Sequence, residues 1–177
     1  HAGAVWRAAR NRRCECERMS QTNPWPDLAG RLIDESGRRR HILPVRVYFE
    51  DTDLSGVVYH ANYLRFMERA RSDMLRLLGI DQRSTLDSGE GVYAVTRLEI
   101  DYRRPAGLDD DLMIVSHVEH VRNASCTIGH SIARGTEVLT QASVTVAFLS
   151  STGRPKRQPA HWVALFQRIA QGEDVTI

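Results

Sequence analysis

At 177 residues the chain is long enough for one domain with a full-sized core and short for two. Hydrophobic residues make up 42% and charged residues 26%, the balance of an ordinary globular protein, and a formal net charge of +2 is too weak a bias to argue for nucleic-acid binding. No run approaches the ~18 apolar residues of a membrane span, so stable membrane insertion is not expected. The three cysteines, Cys14, Cys16 and Cys126, are odd in number and have no framework spacing, which favours a reducing compartment and hence the cytoplasm. Cys14 and Cys16 lack partner ligands and are read as incidental.

Residues 1–18 are Arg-rich, begin without methionine and hold no apolar run of the kind a secretory signal needs. They are read as upstream or added sequence with a natural start at Met19. A transit peptide is opposed by Glu15 and Glu17. Residues 20–43, with Pro24, Pro26 and the run Arg38-Arg39-Arg40, read as a loosely ordered approach segment. Residues 1–43 together are therefore expected to be a poorly ordered N-terminal extension. A main domain is expected over 44–158, followed by a helix and tail over 159–177.

From Pro44 the pattern sharpens. Val45, Val47 and Phe49 alternate with Arg46, Tyr48 and Glu50, a strand signal. Tyr63, Phe66, Met67, Ala70, Met74, Leu77 and Leu78 then fall on the stripe of an amphipathic helix, which Gly79 is placed to stop. Leu64 and Leu75 lie off that stripe and predict a second packing face. After a polar loop over 81–91 the period changes to two. Leu98, Ile100 and Tyr102 alternate with charged residues, a turn follows at 105–107, and strands are expected at 112–121, 125–134 and 138–149. Arg122-Asn123 and Gly135-Thr136 sit where short hairpin turns belong. Trp162, Leu165, Phe166 and Ile169 have helical spacing. One long helix followed by successive antiparallel strands points to an α+β fold with the sheet wrapped around the helix. The open edges of a five-stranded sheet must be covered or paired, which predicts a homo-oligomer.

One stretch concentrates polar chemistry: Tyr48-Phe-Glu-Asp-Thr-Asp53-Leu-Ser-Gly56-Val-Val58-Tyr59-His60-Ala-Asn62-Tyr63. A strand end, a glycine-bearing turn and a helix start lie within sixteen residues. Unpaired N–H groups at a helix N-terminus attract a carbonyl oxygen or an anion, and Gly56 permits a sharp turn. Asp53 could supply a base or nucleophile there, and His60 could orient a water or the substrate. Asp51 reads as a cap or turn former.

The run E-D-T-D-x-x-G-V-V-Y-H-A-N-Y-L-x-F-M-E-R-A-R closely resembles that of the YbgC-type acyl-CoA thioesterases, relatives of 4-hydroxybenzoyl-CoA thioesterase. The resemblance covers about residues 44–158. It implies a hotdog fold, a long helix wrapped by an antiparallel sheet, assembled as homodimers or homotetramers. It also implies hydrolysis of acyl-CoA to free acid and coenzyme A, with coenzyme A as part of the substrate and no separate cofactor or metal. Asp53 matches the family's catalytic aspartate, His60 the histidine seven positions later, and Gly56 and Tyr59 the turn into the helix. Val58 and Asn62 join them as expected substrate-binding positions. Backbone N–H groups near Tyr59 and His60 are expected to polarise the thioester carbonyl. Many relatives carry a tyrosine where Phe49 stands, and Phe49 has no hydroxyl to donate. Another branch of the fold carries its carboxylate on the helix, which draws attention to Glu68. An acyl carrier protein is a further candidate partner, and a non-catalytic adaptor associated with the Tol–Pal envelope system is the alternative reading.

Other constellations are weaker. His117 and His120 are expected on opposite faces of a strand, which would spoil them as a metal pair. Cys126 is expected to be buried. Arg154, Lys156 and Arg157 form a basic turn suited to a phosphate of coenzyme A. No serine elbow, P-loop or dinucleotide-binding glycine pattern is present.

Overall fold

The computed structural model describes residues 30–35 and 37–175. The expectations for residues 1–29, including Cys14, Cys16 and Met19, fall outside the described residues. The elements in chain order are β1 (Arg31–Glu35), β2 (Arg38–Arg46), a 3₁₀ turn (Phe49–Asp51), α1 (His60–Leu77), α2 (Gln82–Asp87), β3 (Val92–Tyr102), β4 (Asp111–Val121), β5 (Ser125–Arg134), β6 (Glu137–Leu149) and α3 (Ala160–Ala170). The strands form one antiparallel sheet in the order β1-β2-β4-β5-β6-β3. Helix α1 packs on one face, as the change from a 3.6-residue to a two-residue period requires.

Among the described residues six strands, not five, make up this sheet. Residues 31–35 and 38–43, expected to be loose, form a hairpin in which Asp34 and Glu35 stand opposite Arg39 and Arg38. The arginine run hid this strand because charge masked the alternation. Arg39 keeps its stem largely covered and reaches Asp174 beyond α3. The strand expected at 45–49 ends at Arg46. Val47 leaves the ladder, its N–H donating to the Asp110 carbonyl and its own carbonyl accepting from Asp109 N–H. Phe49 consequently turns outward and is 82% exposed. The polar loop at 81–91 contains the short helix α2, capped by the Asp81 carboxylate on the N–H groups of Arg83 and Ser84. The expected turn at Gly135-Thr136 joins β5 to β6, with Gly135 at φ 58° and Arg134 opposite Glu137.

The core divides in two. Phe66, Met67 and Ala70 of α1 pack with Leu112, Ile114 and Ile132 nearest the helix start. Met74 packs with Val118, Ile128, Phe148, Trp162 and Phe166 at the other end. Between them runs a polar layer. Ser116 and His130 are neighbours across β4 and β5, and His41 stands opposite Ser116 on β2. Arg71 of α1 donates to His130 Nε2 at 3.2 Å. That assigns the ring proton to Nδ1, which donates to Ser116 Oγ at 2.9 Å. Burial first, then the Arg71 charge, drives the His130 pKa down to about 3, so the ring is neutral. His41 Nε2 lies 2.8 Å from an oxygen of Asp73.

A bulge corrects the reading of His117 and His120. The register shifts between Val118 and His120, so the two histidines oppose Gly129 and Thr127, two residues apart and therefore on one face. Even so, no group of three metal-capable side chains occurs among the described residues. No helix among them is long and apolar enough to cross a membrane.

Candidate active site

The junction between the 3₁₀ turn and α1 is built from backbone pairing. Thr52 bridges Val58, and Val57 bridges Gly107, so residues 52–58 form a tight loop against the turn after β3. Asp53 N–H donates to the Val57 carbonyl and Gly56 N–H to the Asp53 carbonyl. Gly56 sits at φ 78°, a left-handed conformation that a side chain would strain. Asn62, buried at the first turn of α1, donates from Nδ2 to the Asp51 carbonyl at 2.8 Å. Asp51 is also buried, and its carboxylate accepts from Tyr48 N–H. Asp51 and Asn62 thus clamp the loop from within, Asn62 spending one amide hydrogen on that bond. The Val58 side chain is likewise in the core.

Asp53 is exposed on the rim of this loop. One oxygen, Oδ1, accepts from both the hydroxyl and the N–H of Ser55, an Asx turn. Oδ2 has no partner among the described residues. The Ser55 hydroxyl, then its N–H, then the nearby His60 hold the carboxyl below the ordinary range, so it is ionised at neutral pH. Changing Ser55 to alanine is expected to move the acidic limb of the pH–rate profile upward, with neutral-pH turnover altered only about threefold, since the charge itself stays. An unmoved limb would detach that limb from Asp53.

The helix start supplies donors, with one correction. Tyr59 N–H is already taken by the Asp51 carbonyl at 2.9 Å. The Tyr59 N–H is thus occupied, whereas among the described residues the N–H groups of His60 and Ala61 have no acceptor and carry the positive end of the helix dipole. The rings of Tyr59 and His60 are in contact, with centroids 4.4 Å apart. Tyr102, which sequence reasoning did not single out, donates its hydroxyl to the His60 carbonyl at 3.0 Å and lays its ring against His60 and Tyr63. Its only sequence signal was an inward position in a period-two strand, shared by many residues of no chemical interest. Ser55 was also missed, although its spacing from Asp53 is that of an Asx turn.

Asp53, Gly56, Tyr59 and His60 are brought together. Arg154, Lys156 and Arg157 are not joined to them within one chain. They follow β6, whose last residue Leu149 pairs with Val92, the first of β3, whereas His60 touches Tyr102, the last. Eleven residues of β3 separate the two ends by roughly 30 Å or more. Lys156 Nζ donates to the Glu90 carbonyl, while the side chains of Arg154 and Arg157 are exposed. Glu68 lies two turns along α1 from His60 and pairs with Arg71.

Residues 55–141 match the thioesterase superfamily. Over 104 residues the chain is 46% identical to the acyl-CoA thioesterase YbgC of Haemophilus influenzae, covering 59% of this chain and 76% of that one. It is 36% identical over 127 residues to the acyl-CoA thioester hydrolase YbgC of Escherichia coli, covering 71% and 94%. The crystal structure of a probable thioesterase from Bartonella henselae superposes with a TM-score of 0.64 at 38% identity, over 68% of this chain and 99% of that one. With the helix-wrapping sheet and the aspartate loop described above, these matches establish that the chain belongs to the YbgC-type acyl-CoA thioesterases of the hotdog fold.

Proposed function

We propose that the chain hydrolyses acyl-CoA thioesters at the junction of the 52–58 loop and α1. The observation that carries this is the pairing of an exposed, ionised carboxylate at Asp53 with two unpaired N–H groups at the start of α1. The N–H groups of His60 and Ala61 would hold the thioester oxygen as charge develops on it, where one donor contributes ~3 kcal/mol in comparable sites. Asp53 would act on the carbonyl carbon, directly or through a water. The imidazole of His60, beside Tyr59 and Tyr102, would orient the thioester against them. Release of free thiol from a series of acyl-CoA esters, compared between the wild type and an Asp53→Asn variant, tests the reading. Thiol release that the variant leaves intact would remove it.

A homodimer joined through β3 supports the same chemistry. The sheet has two edges, and β1 is short and charged. β3 is eleven residues long, with Val95 and Leu98 exposed on its helix-side face, and among the described residues it pairs only with β6. Antiparallel pairing of two β3 edges would bring the Val92 end of one copy beside the Tyr102 end of the other. Arg154 and Arg157 would then approach the other copy's Asp53, at a distance suited to a nucleotide phosphate. Changing both arginines to glutamate is expected to raise KM for an acyl-CoA about tenfold, as charge-assisted contacts to phosphate are lost. A small thioester without the nucleotide should be unaffected. An equal effect on both substrates would count against the clamp, and a monomeric mass in sedimentation would count against the dimer.

A further inference from the structure

The turn that follows β3 is the bed on which both halves of the site rest. Ala106 is wholly buried there and uses both its backbone groups. Its N–H donates to the Tyr63 hydroxyl, in the first turn of α1, at 2.9 Å, and its carbonyl accepts from Val58 N–H at 2.8 Å. Gly107 then bridges Val57, whose carbonyl receives the Asp53 N–H. The start of α1, with the His60 and Ala61 N–H groups, and the loop that carries Asp53 are thus fastened to the same two residues. Whatever holds residues 106 and 107 in place also sets the distance between the carboxylate and those donors.

One ion pair does so from outside. Asp110 Oδ2 accepts from Gly107 N–H at 2.8 Å and from Arg134 Nη1 at 2.7 Å. Arg134 ends β5, and its other terminal nitrogen donates to Glu137 at the start of β6, so a paired hairpin anchors the guanidinium. The Gly107 N–H first, and then Arg134, hold the Asp110 carboxyl below its ordinary range, so it is ionised at neutral pH. Between Gly107 and Asp110 the chain passes through Asp109 at φ 64°, the one non-glycine residue among those described in a left-handed conformation. Such a conformation persists only where surrounding bonds impose it. Yet the pair itself lies near the surface, its side chains 23% and 41% exposed, where it contributes little to stability. It reaches the Asp53 N–H in three links, through Gly107 and Val57, so its consequence is geometric.

Resting on the reading of Asp53 given above, we propose that Asp110 and Arg134 are positioning residues for the reaction, holding the turn after β3 so that the Asp53 carboxylate faces the N–H groups at the start of α1. Neither touches the reacting atoms. Their effect falls on the rate because a displacement of about 1 Å in a reacting group can cost roughly 10²-fold, and a fraction of that shift costs less.

The test measures thiol release from the acyl-CoA ester that the wild type hydrolyses fastest. Asp110→Ala and Arg134→Ala are each expected to lower kcat about tenfold, with KM within about twofold and the unfolding temperature within about 3 °C. Asp110→Asn keeps an oxygen for the Gly107 N–H and should recover kcat to within about threefold. Asp111→Ala, which removes the neighbouring carboxylate paired with Arg46, should leave kcat within about twofold. The decisive arm repeats Arg134→Ala in the Asp53→Asn background, in single turnover at high enzyme concentration. A residue that acts through Asp53 should lower that residual rate by no more than about twofold, whereas a smaller folded fraction would lower it equally in both backgrounds. An equal loss in both, unchanged kcat in the alanine variants, or failure of Arg134→Ala to fold would overturn the positioning role and leave the Asp53 reading standing. Turnover left intact by Asp53→Asn would overturn the Asp53 reading and this role with it.

Discussion

Replacing Asp53 by asparagine is expected to lower turnover of an acyl-CoA by about 10²–10⁴-fold, the contribution of a positioned catalytic carboxylate. The geometry makes this substitution informative. Asparagine keeps an oxygen where Oδ1 accepts from the Ser55 hydroxyl and N–H, so the Asx turn and the loop it closes should persist. The negative charge and the nucleophilic or basic oxygen are lost. Asp53 lies on the surface and the loop is clamped from inside by Asp51 and Asn62, so thermal stability should barely move. A large loss of turnover with an unchanged unfolding temperature is therefore the expected pair of results. Turnover within a few fold of wild type would show that the carboxylate is only a turn former. In a single turnover in ¹⁸O-labelled water, label in the enzyme's carboxylate reports direct attack by Asp53 followed by opening of the mixed anhydride at the Asp53 carbonyl, a result that activation of a water does not give.

The second large effect concerns stability and pH. His130 is neutral and buried in the polar layer, with its pKa near 3 against about 6.5 for an unfolded chain. Between those values the unfolded state binds a proton that the folded state refuses, so stability rises with pH across the window and falls as the solution is acidified. From pH 7 to pH 5 this residue alone should cost about 2 kcal/mol, or roughly 4–8 °C in unfolding temperature for a chain of this size. His41, whose pKa is also lowered by burial against the opposing pull of Asp73, acts in the same direction. A His130→Gln variant can still accept from Arg71 and bond Ser116 but carries no titrating ring. Its stability should lose much of the dependence between pH 5 and 7. An identical slope in the two proteins would place the acid sensitivity elsewhere.

Near neutral pH these two predictions separate cleanly because the groups are on different layers of the molecule. The Asp53 loop sits outside the core, and among the described residues only Ser55 bonds the carboxylate, with the charge of His60 nearby. The His130 layer lies inside, spanning from Ser116 on β4 to Arg71 on α1.

What could be read from the residues alone was whatever depends on local periodicity and local turn chemistry. The stripe from Tyr63 to Leu78 marked α1, the alternations after Arg97 marked β3 to β6, and Gly135-Thr136 marked a hairpin, because each pattern repeats within a few residues of itself. The motif around Asp53 marked the candidate site for the same reason, since loop, glycine and helix start are contiguous. Tertiary structure decided the rest. It made Arg38–Arg46 a strand by pairing it with Leu112 and its neighbours some seventy residues away, and with β1 on the other side. It tied the Tyr59 N–H to the Asp51 carbonyl, and it put His117 and His120 on one face through a bulge. It also brought Tyr102 to His60 and left the 154–157 turn at the far end of β3. Pairing register, bulges and the direction of an N–H are settled by partners distant in the chain, and a pattern of neighbours carries no record of them.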